Sequence, residues 1–533
     1  MRNLEIVLAL VVFAVLVATL ARRFRAPAPS LLVIAGLLVG LLPGVSSVQV
    51  PPDVIGLLVL PPLLYAAASD VAVTELRSVI RPVLALAIGL VAVTAFAVAW
   101  VLHAVEPQVP IAAAFVLGAV LASTDPVAVS ALARRLRLPP RLLALVQGES
   151  LLNDATSLVL FQVAVGVVVS GASVQYGAAA LQFVILGAGG AIIGYVLALL
   201  VDRLRGRTQD GVLLTVIALL TPYTVYVVAE GLHTSGVTAV VICGLTISSF
   251  RDRSVRGPVR LQIAHFYAVV VFLLESVVFA LIGLELPGLV QRLSEADRDF
   301  LPAALAVAAI VILTRALWVY PTGYLQQVRR GSPGAGPPPW RALAVLSWAG
   351  TRGVVPLAAA LAIPLTTADG QPFPERDLLL VLAISCIILT LVVQGFTLEP
   401  LVRRLGIGQD KADLDRERAV GRNAAVLAAL ARLDELSDSG DEPAEVVDRL
   451  RRDLEGRASA TRARLARWDR HSTDGDESSS GSAYRRLRLD LLATESDRLA
   501  QLRDEGRIGE QTRRSLQDAL DLEEARLSHT PPS

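Results

Sequence analysis

The 533-residue sequence has almost no lysine. Lys411 is the single one, so arginine supplies nearly all of the positive charge. There are two cysteines, Cys243 and Cys386, each inside an apolar run, which argues against a disulfide framework and for buried free thiols. Charged residues make up only 18% of the chain, fewer than a soluble protein of this length carries. No basic block suggests nucleic acid as a partner. No metal-ligand cluster, nucleophile triad or nucleotide loop stands out, so no cofactor is expected and the chain does not read as an enzyme. The glycine-rich stretch Gly187–Gly194 (GAGGAIIG) lies within an apolar run with no strand before it, which fits close helix packing.

What is present is hydrophobic: 54% of residues, with a mean hydropathy of +0.58. It is unevenly spread. Residues 1–400 hold long apolar runs, whereas 405–533 hold more than half of all Asp and Glu and no such run. Two domains are expected, a polytopic membrane domain over 1–404 and a charged helical domain over 405–533. The first apolar run precedes its positive cluster (Arg22, Arg23, Arg25). A secretory signal has the reverse layout, so the run reads as a retained membrane helix.

A helix needs about 20 apolar residues to cross roughly 30 Å of hydrocarbon. Thirteen windows qualify: 4–21, 29–45, 52–69, 82–104, 109–133, 139–171, 175–201, 211–231, 233–250, 261–286, 300–320, 341–365 and 377–400. The break at 231–233 is the weakest, and merging there would give twelve. The connections after spans 1, 3, 5, 7, 9 and 11 carry nineteen arginines, while the opposite side carries four, Arg2, Arg292, Arg298 and Arg376. The positive-inside rule then places the N-terminus outside and the tail in the cytoplasm. Thirteen spans accommodate two inverted six-helix repeats and one linker helix. In such folds ions bind at mid-membrane, where helices in corresponding positions are interrupted. Spans 5 and 12 would correspond, and both are interrupted beside a charge, in "STDPV" and "WAGTRGVVP".

A charge at the centre of a membrane helix costs about 2.5–3.5 kcal/mol on insertion scales, so each one needs a partner or a wet cavity. In span 6, Ser150 and Asp154 share one helix face, and Glu149 and Asn153 share the next. A hydroxyl and a carboxylate directed to one cavity suit a hard monovalent cation, and the same carboxylate can take a proton instead. In span 5, Pro126 biases Asp125 away from helix. The carbonyls freed around Thr124 and Asp125 are then available to a cation if they line a cavity. The alternative is a helix start in a loop, capped by Asp125. Glu149 needs a cation, and either Arg315 or Arg352 fits. Such a buried pair is more often structural than transported-ion machinery. Glu275 is a candidate pathway residue or a packing one. Glu230 and Glu285 fall near the interface, and His103 and His233 near outer helix ends.

"STDPVAVSAL" followed by "GESLLNDATSLVLF" resembles the signature of the monovalent cation:proton antiporter-1 family, the sodium/proton exchangers. The resemblance extends to "LPPLLYAAA" (Leu60–Ala68), "LHTSGVTAVVICGL" (Leu232–Leu245), the "TRAL" segment at Arg315 and "GTRGVVPLAAALAIP" (Gly350–Pro364), covering essentially all of 1–400. It implies a dimerisation domain and a six-helix transport domain with two crossed, partly unwound helices, working as a homodimer by elevator-like alternating access. It makes Asp154 the principal carrier of ion and proton, beside Asn153, with Ser150, Thr124 and Asp125 at or around the ion site. It also assigns Glu149 and Arg315 to a core salt bridge and Arg352 to the second unwound helix. In the family an Asn-Asp pair implies electroneutral exchange of one cation for one proton. One departure concerns the ion: many prokaryotic members have an acid just after the "PPLLF/Y" segment, where this chain has Ala66-Ala67-Ala68.

The expected function is thus a secondary antiporter exchanging Na+, or K+ or Li+, for H+ in the cytoplasmic membrane, with lipid around it. A K+/H+ antiporter of the same fold is the main alternative, and a cation channel or a membrane sensor the lesser ones. In the tail, breaks are expected at Gly440–Pro443 and Ser472–Ser482, and Leu502–Leu527 has helical spacing with many i,i+4 charge pairs. A solvated helical assembly module and a regulatory domain both fit.

Overall fold

Proline and glycine punctuation sets the helix ends in the computed structural model of the chain. It describes residues 2–24, 27–42, 57–125, 138–171, 176–254, 257–293, 299–330, 339–407, 411–438 and 443–470, with scattered residues between 487 and 521. In chain order the helices are α1 (Arg2–Phe24), α2 (Ala28–Gly40), α3 (Leu60–Asp70), α4 (Val73–Val105), α5 (Ile111–Leu121), α6 (Pro140–Ser170), α7 (Tyr176–Arg205) and α8 (Gly211–Gly231). They continue with α9 (Gly236–Ser254), α10 (Gly257–Arg292), α11 (Leu301–Arg330), α12 (Pro339–Trp348), α13 (Val354–Leu361), α14 (Arg376–Leu405), α15 (Lys411–Asp438) and α16 (Ala444–Arg470). Pro140 opens α6 at its first turn, where a missing N–H costs nothing. Gly171 and Gly406 close α6 and α14 with φ near +62°. Asp210 caps α8, accepting from the N–H groups of Val212 (2.8 Å) and Leu213 (3.3 Å).

Among the described residues, seven helices are long and apolar enough to cross a membrane by length and composition. They are Val73–Val105, Arg141–Ser170, Gly177–Arg205, Gly211–Gly231, Gly257–Arg292, Leu301–Tyr324 and Arg376–Leu405, and four shorter apolar helices accompany them. The weak break at 231–233 is a genuine chain reversal between α8 and α9, where His233 takes a left-handed φ of 56°. The fourth span begins earlier than its apolar window: α4 runs from Val73 through a π-helical turn at Ala85–Leu90. Its first turns carry Arg77 and Arg81 on a helix rather than in a loop. The twelfth window is split into α12 and α13 by the non-helical stretch 349–353. Pro126 and the rest of the fifth window, Arg134, Arg135 and Arg137, Ser472–Ser482 and most of Leu502–Leu527 lie outside the described residues.

Lipid tails are as apolar as leucine, so helix association here rests on close packing, which small residues permit. The α2–α10 pair shows this. A Cβ on Gly36 would stand 3.3 Å from Ala280 Cα, and one on Gly40 would stand 3.1 Å from Leu284 Cα. The contacts sort into two neighbourhoods. Helices α4, α5, α6 and α11–α14 pack mainly on one another, as do α1–α3 and α8–α10, with α7 on α9. Large apolar side chains stay exposed on α7 and α8, among them Leu181, Ile185, Ile192, Val212 and Leu220. In water this would be a large sticky patch; against hydrocarbon it is solvated.

The chain divides into two compact units, Met1–Gln409 and Asp410–Ser533. In the second, α15 and α16 pack through Ala419, Val426, Leu433, Val447 and Ala458, and Arg451 pairs with Asp434 at 2.7 Å.

Candidate functional site: two unwound segments beneath Asp154

The fifth helix ends at Leu121, short of Asp125, the residue that the following proline disfavours as helix. Residues 123–125 are non-helical, and so are 349–353. The two stretches meet. The Asp125 N–H donates to Thr351 O at 2.7 Å, and Thr351 Oγ1 donates to Asp125 O at 3.1 Å. Arg352, buried and reaching back from the second stretch, donates from Nη1 to Ala122 O (2.8 Å) and Ser123 O (2.5 Å). Gly353 makes the approach possible, since a Cβ there would stand 2.6 Å from Asp125 Cβ.

Helix α6 lays its polar face across the first stretch. Ser150 Oγ donates to Thr124 O at 2.5 Å, and Asn153 Nδ2 donates to Thr124 Oγ1 at 2.7 Å. Ser123 Oγ donates to Asp154 Oδ1. Ser157 Oγ, one turn on, donates to Ala119 O at 3.0 Å. Among the described residues, the carbonyls at the break all accept a hydrogen bond: those of Ala122 and Ser123 from Arg352, that of Thr124 from Ser150, and that of Asp125 from Thr351. An unmet buried carbonyl is costly, and the chain meets each one. Each of these oxygens keeps a second lone pair, which the side-chain oxygens nearby can supplement around a cation.

Glu149 lies one residue before Ser150 and points elsewhere. Its carboxylate receives both terminal nitrogens of Arg315, with Arg315 Nη2 to Glu149 Oε2 at 2.9 Å. Arg315 Nε and Nη2 also donate to Leu346 O, at 3.1 and 2.9 Å. The fork thereby binds α6, α11 and α12 together. Gly350 leaves room for it, as a Cβ there would come within 2.6 Å of Arg315 Cδ.

Thr124, Asp125, Ser150 and Asp154 line a cavity of about 530 Å³. Gln147, Glu275, Ala66 and Ala67 line it too, with apolar wall from α3, α10 and α13. Its far end reaches Ser69, Asp70, Arg205, Ser248 and Arg260. Asp70 is exposed there, and Arg205 Nη2 donates to Tyr65 OH at 3.1 Å. Asn153, Glu149, Arg315 and Arg352 stand behind the lining as its support. Sequence reasoning missed Ser123 and Thr351. Each neighbours a residue it named, inside "STDP" and "GTRG", and a hydroxyl beside a helix break was the available signal.

The sequence profile of the transmembrane sodium/hydrogen exchanger family matches residues 10–404. An uncharacterized Na(+)/H(+) exchanger from Mycobacterium tuberculosis is 35% identical, over 98% of this chain and 96% of the relative. A sodium, potassium, lithium and rubidium/H(+) antiporter from Bacillus pumilus is 33% identical, over 81% of this chain and 66% of its own length. Among solved structures, the sodium proton antiporter MjNhaP1 from Methanocaldococcus jannaschii has the same fold. Its TM-score is 0.63 at 22% identity, over 77% of this chain and 99% of that one.

Proposed function

Because the chain belongs to the transmembrane sodium/hydrogen exchanger family, and is thus a multi-pass membrane transporter of the cation/proton exchange class, we propose that it is a secondary antiporter exchanging Na+ for H+ through Asp154. The observation that carries this reading is the Asp154 carboxylate, buried at the joint of two unwound segments and lining a cavity with Thr124, Asp125 and Ser150. A carboxylate in that position holds either a cation, with hydroxyl oxygens as further ligands, or a proton. Occupation by one excludes the other, which couples the two fluxes. Loaded with Na+ or with H+, Asp154 has the same net charge, so exchange at this one group is electroneutral. No cofactor is required beyond the ions.

The cavity supports alternating access of inward-facing sense. It runs from Asp154 to Arg205 and Arg260, on the side that the arginine distribution assigns to the cytoplasm. The proposed frame is thirteen spans in two inverted repeats, N-terminus outside, within a homodimer in the cell membrane. The cytoplasmic helical domain that follows residue 404 is assigned a regulatory role. The test is a pH-dye exchange assay on reconstituted protein with Na+, Li+, K+ and Rb+ in turn. Exchange driven by Na+ and lost in Asp154→Asn is the expected result. Dominance of K+ would move the cargo to K+, conductance without proton movement would make the chain a channel, and undiminished exchange in Asp154→Asn would overturn the assignment.

A further inference from the structure

Glu275 lies on α10 and takes no part in the network that builds the site. Among the described residues no hydrogen bond or ion pair reaches its carboxylate, yet it lines the cavity that Asp154 lines. A carboxylate so placed, amid Val271, Phe272, Val354 and Val355, is expensive as a lone anion, so in its charged form it calls for a mobile cation. Its position on α10 is informative. Arg260, Ile263, Ala264, Tyr267, Val271 and Glu275 recur at helical spacing along the cavity wall. That stripe covers about 22 Å of helix at 1.5 Å per residue. It starts with a guanidinium and ends on Glu275, in the cavity that Asp125 also lines. The mouth also holds Arg205, which is buried and whose Nε has no partner. A cation travelling inward along this wall therefore passes fixed positive charge and meets Glu275 in the cavity that Asp125 and Asp154 line.

We propose that Glu275 is a cation-receiving residue of the inward-facing state, setting affinity on the cytoplasmic side alone. This rests on the reading of Asp154 as the carrier. Glu275 belongs to the neighbourhood of α1–α3 and α8–α10, whereas Asp154 belongs to that of α4–α6 and α11–α14. When the second group carries Asp154 to the other face, Glu275 stays with the first. The carboxylate then acts on the ion in one half of the cycle only.

The experiment measures the Na+ concentration giving half-maximal exchange at each face, using everted and right-side-out vesicles with the full chain. In Glu275→Gln, the cytoplasmic value is expected to rise at least about tenfold, since a charge in contact with the ion at an effective dielectric near 20 is worth more than that. The external value and the maximal rate stay close to wild type. Glu275→Asp, which keeps the charge, shows a smaller rise of the same sidedness and serves as the deciding variant if Glu275→Gln does not insert. Equal shifts at both faces, or no shift at either, overturn the inference. Asp154→Asn is measured alongside. Exchange retained there overturns the Asp154 reading, whereas an inactive Asp154→Asn with no sided Glu275 effect overturns this inference alone.

Discussion

Arg352 donates to the main-chain carbonyl of Ser123 at 2.5 Å, and from the same nitrogen to that of Ala122. One unwound segment is thus held by a guanidinium from the other. Arg352→Gln leaves buried carbonyls without donors, at about 1–3 kcal/mol each. It is expected to lose exchange and to lower the detergent melting temperature. Arg352→Lys retains the charge and one donor direction and should recover part of the stability. Melting curves by fluorescence-detected size exclusion check this, and unchanged melting in Arg352→Gln would refute the clamp.

Breaking the Glu149–Arg315 pair should cost about 3–5 kcal/mol, since one buried charge is left behind. Arg315→Met is expected to be worse than Glu149→Gln, because it also strips two donors from Leu346 O. The double variant should destabilise less than the sum of the two, which a thermal double-mutant cycle resolves.

Ser123 donates to Asp154, a bond that favours the ionised carboxylate. Without it the proton is held more tightly and the cation displaces it only at higher pH. Ser123→Ala should therefore move the pH–exchange profile alkaline by about one pH unit, the worth of one hydrogen bond to a charge. Ser150→Ala, whose hydroxyl serves Thr124 O, should move it less. An acid-ward displacement in Ser123→Ala would contradict the geometry.

Gly353→Ala would push a methyl group against Asp125, whose N–H is held by Thr351 O. Exchange should fall at least about tenfold, the cost of roughly 1.4 kcal/mol of misplacement. Gly166→Ala is the control, because nothing stands within 4 Å of the added carbon there. Exchange rates at matched expression decide between them.

Much of the site was legible as residue identity. Charge is so costly inside apolar helices that Asp125, Glu149, Asp154, Arg315 and Arg352 stood out against their surroundings. The i,i+4 rule also placed Ser150 with Asp154 correctly on one face of α6, and that face meets the break. Ser123 and Thr351 were not legible in the same way. A hydroxyl costs little inside a helix, where it can bond its own backbone, so a serine or threonine carries no alarm in a sequence. The fate of the freed carbonyls was illegible for another reason: their donors come from residues distant in the chain, such as Arg352 on Ser123.

By itself, then, the sequence determined that this is a helical membrane chain with a charged C-terminal part, and which few polar groups needed an explanation. Periodicity, hydrophobic length and the expense of buried charge are local properties that composition exposes directly. The family resemblance already paired Arg315 with Glu149, as the structure does, but only the tertiary structure decided that Arg352 goes to the backbone of Ala122 and Ser123. It also decided that Glu275 faces the same cavity as Asp154. Those pairings depend on how non-neighbouring helices cross, which glycines such as Gly350 and Gly353 permit but no local pattern dictates.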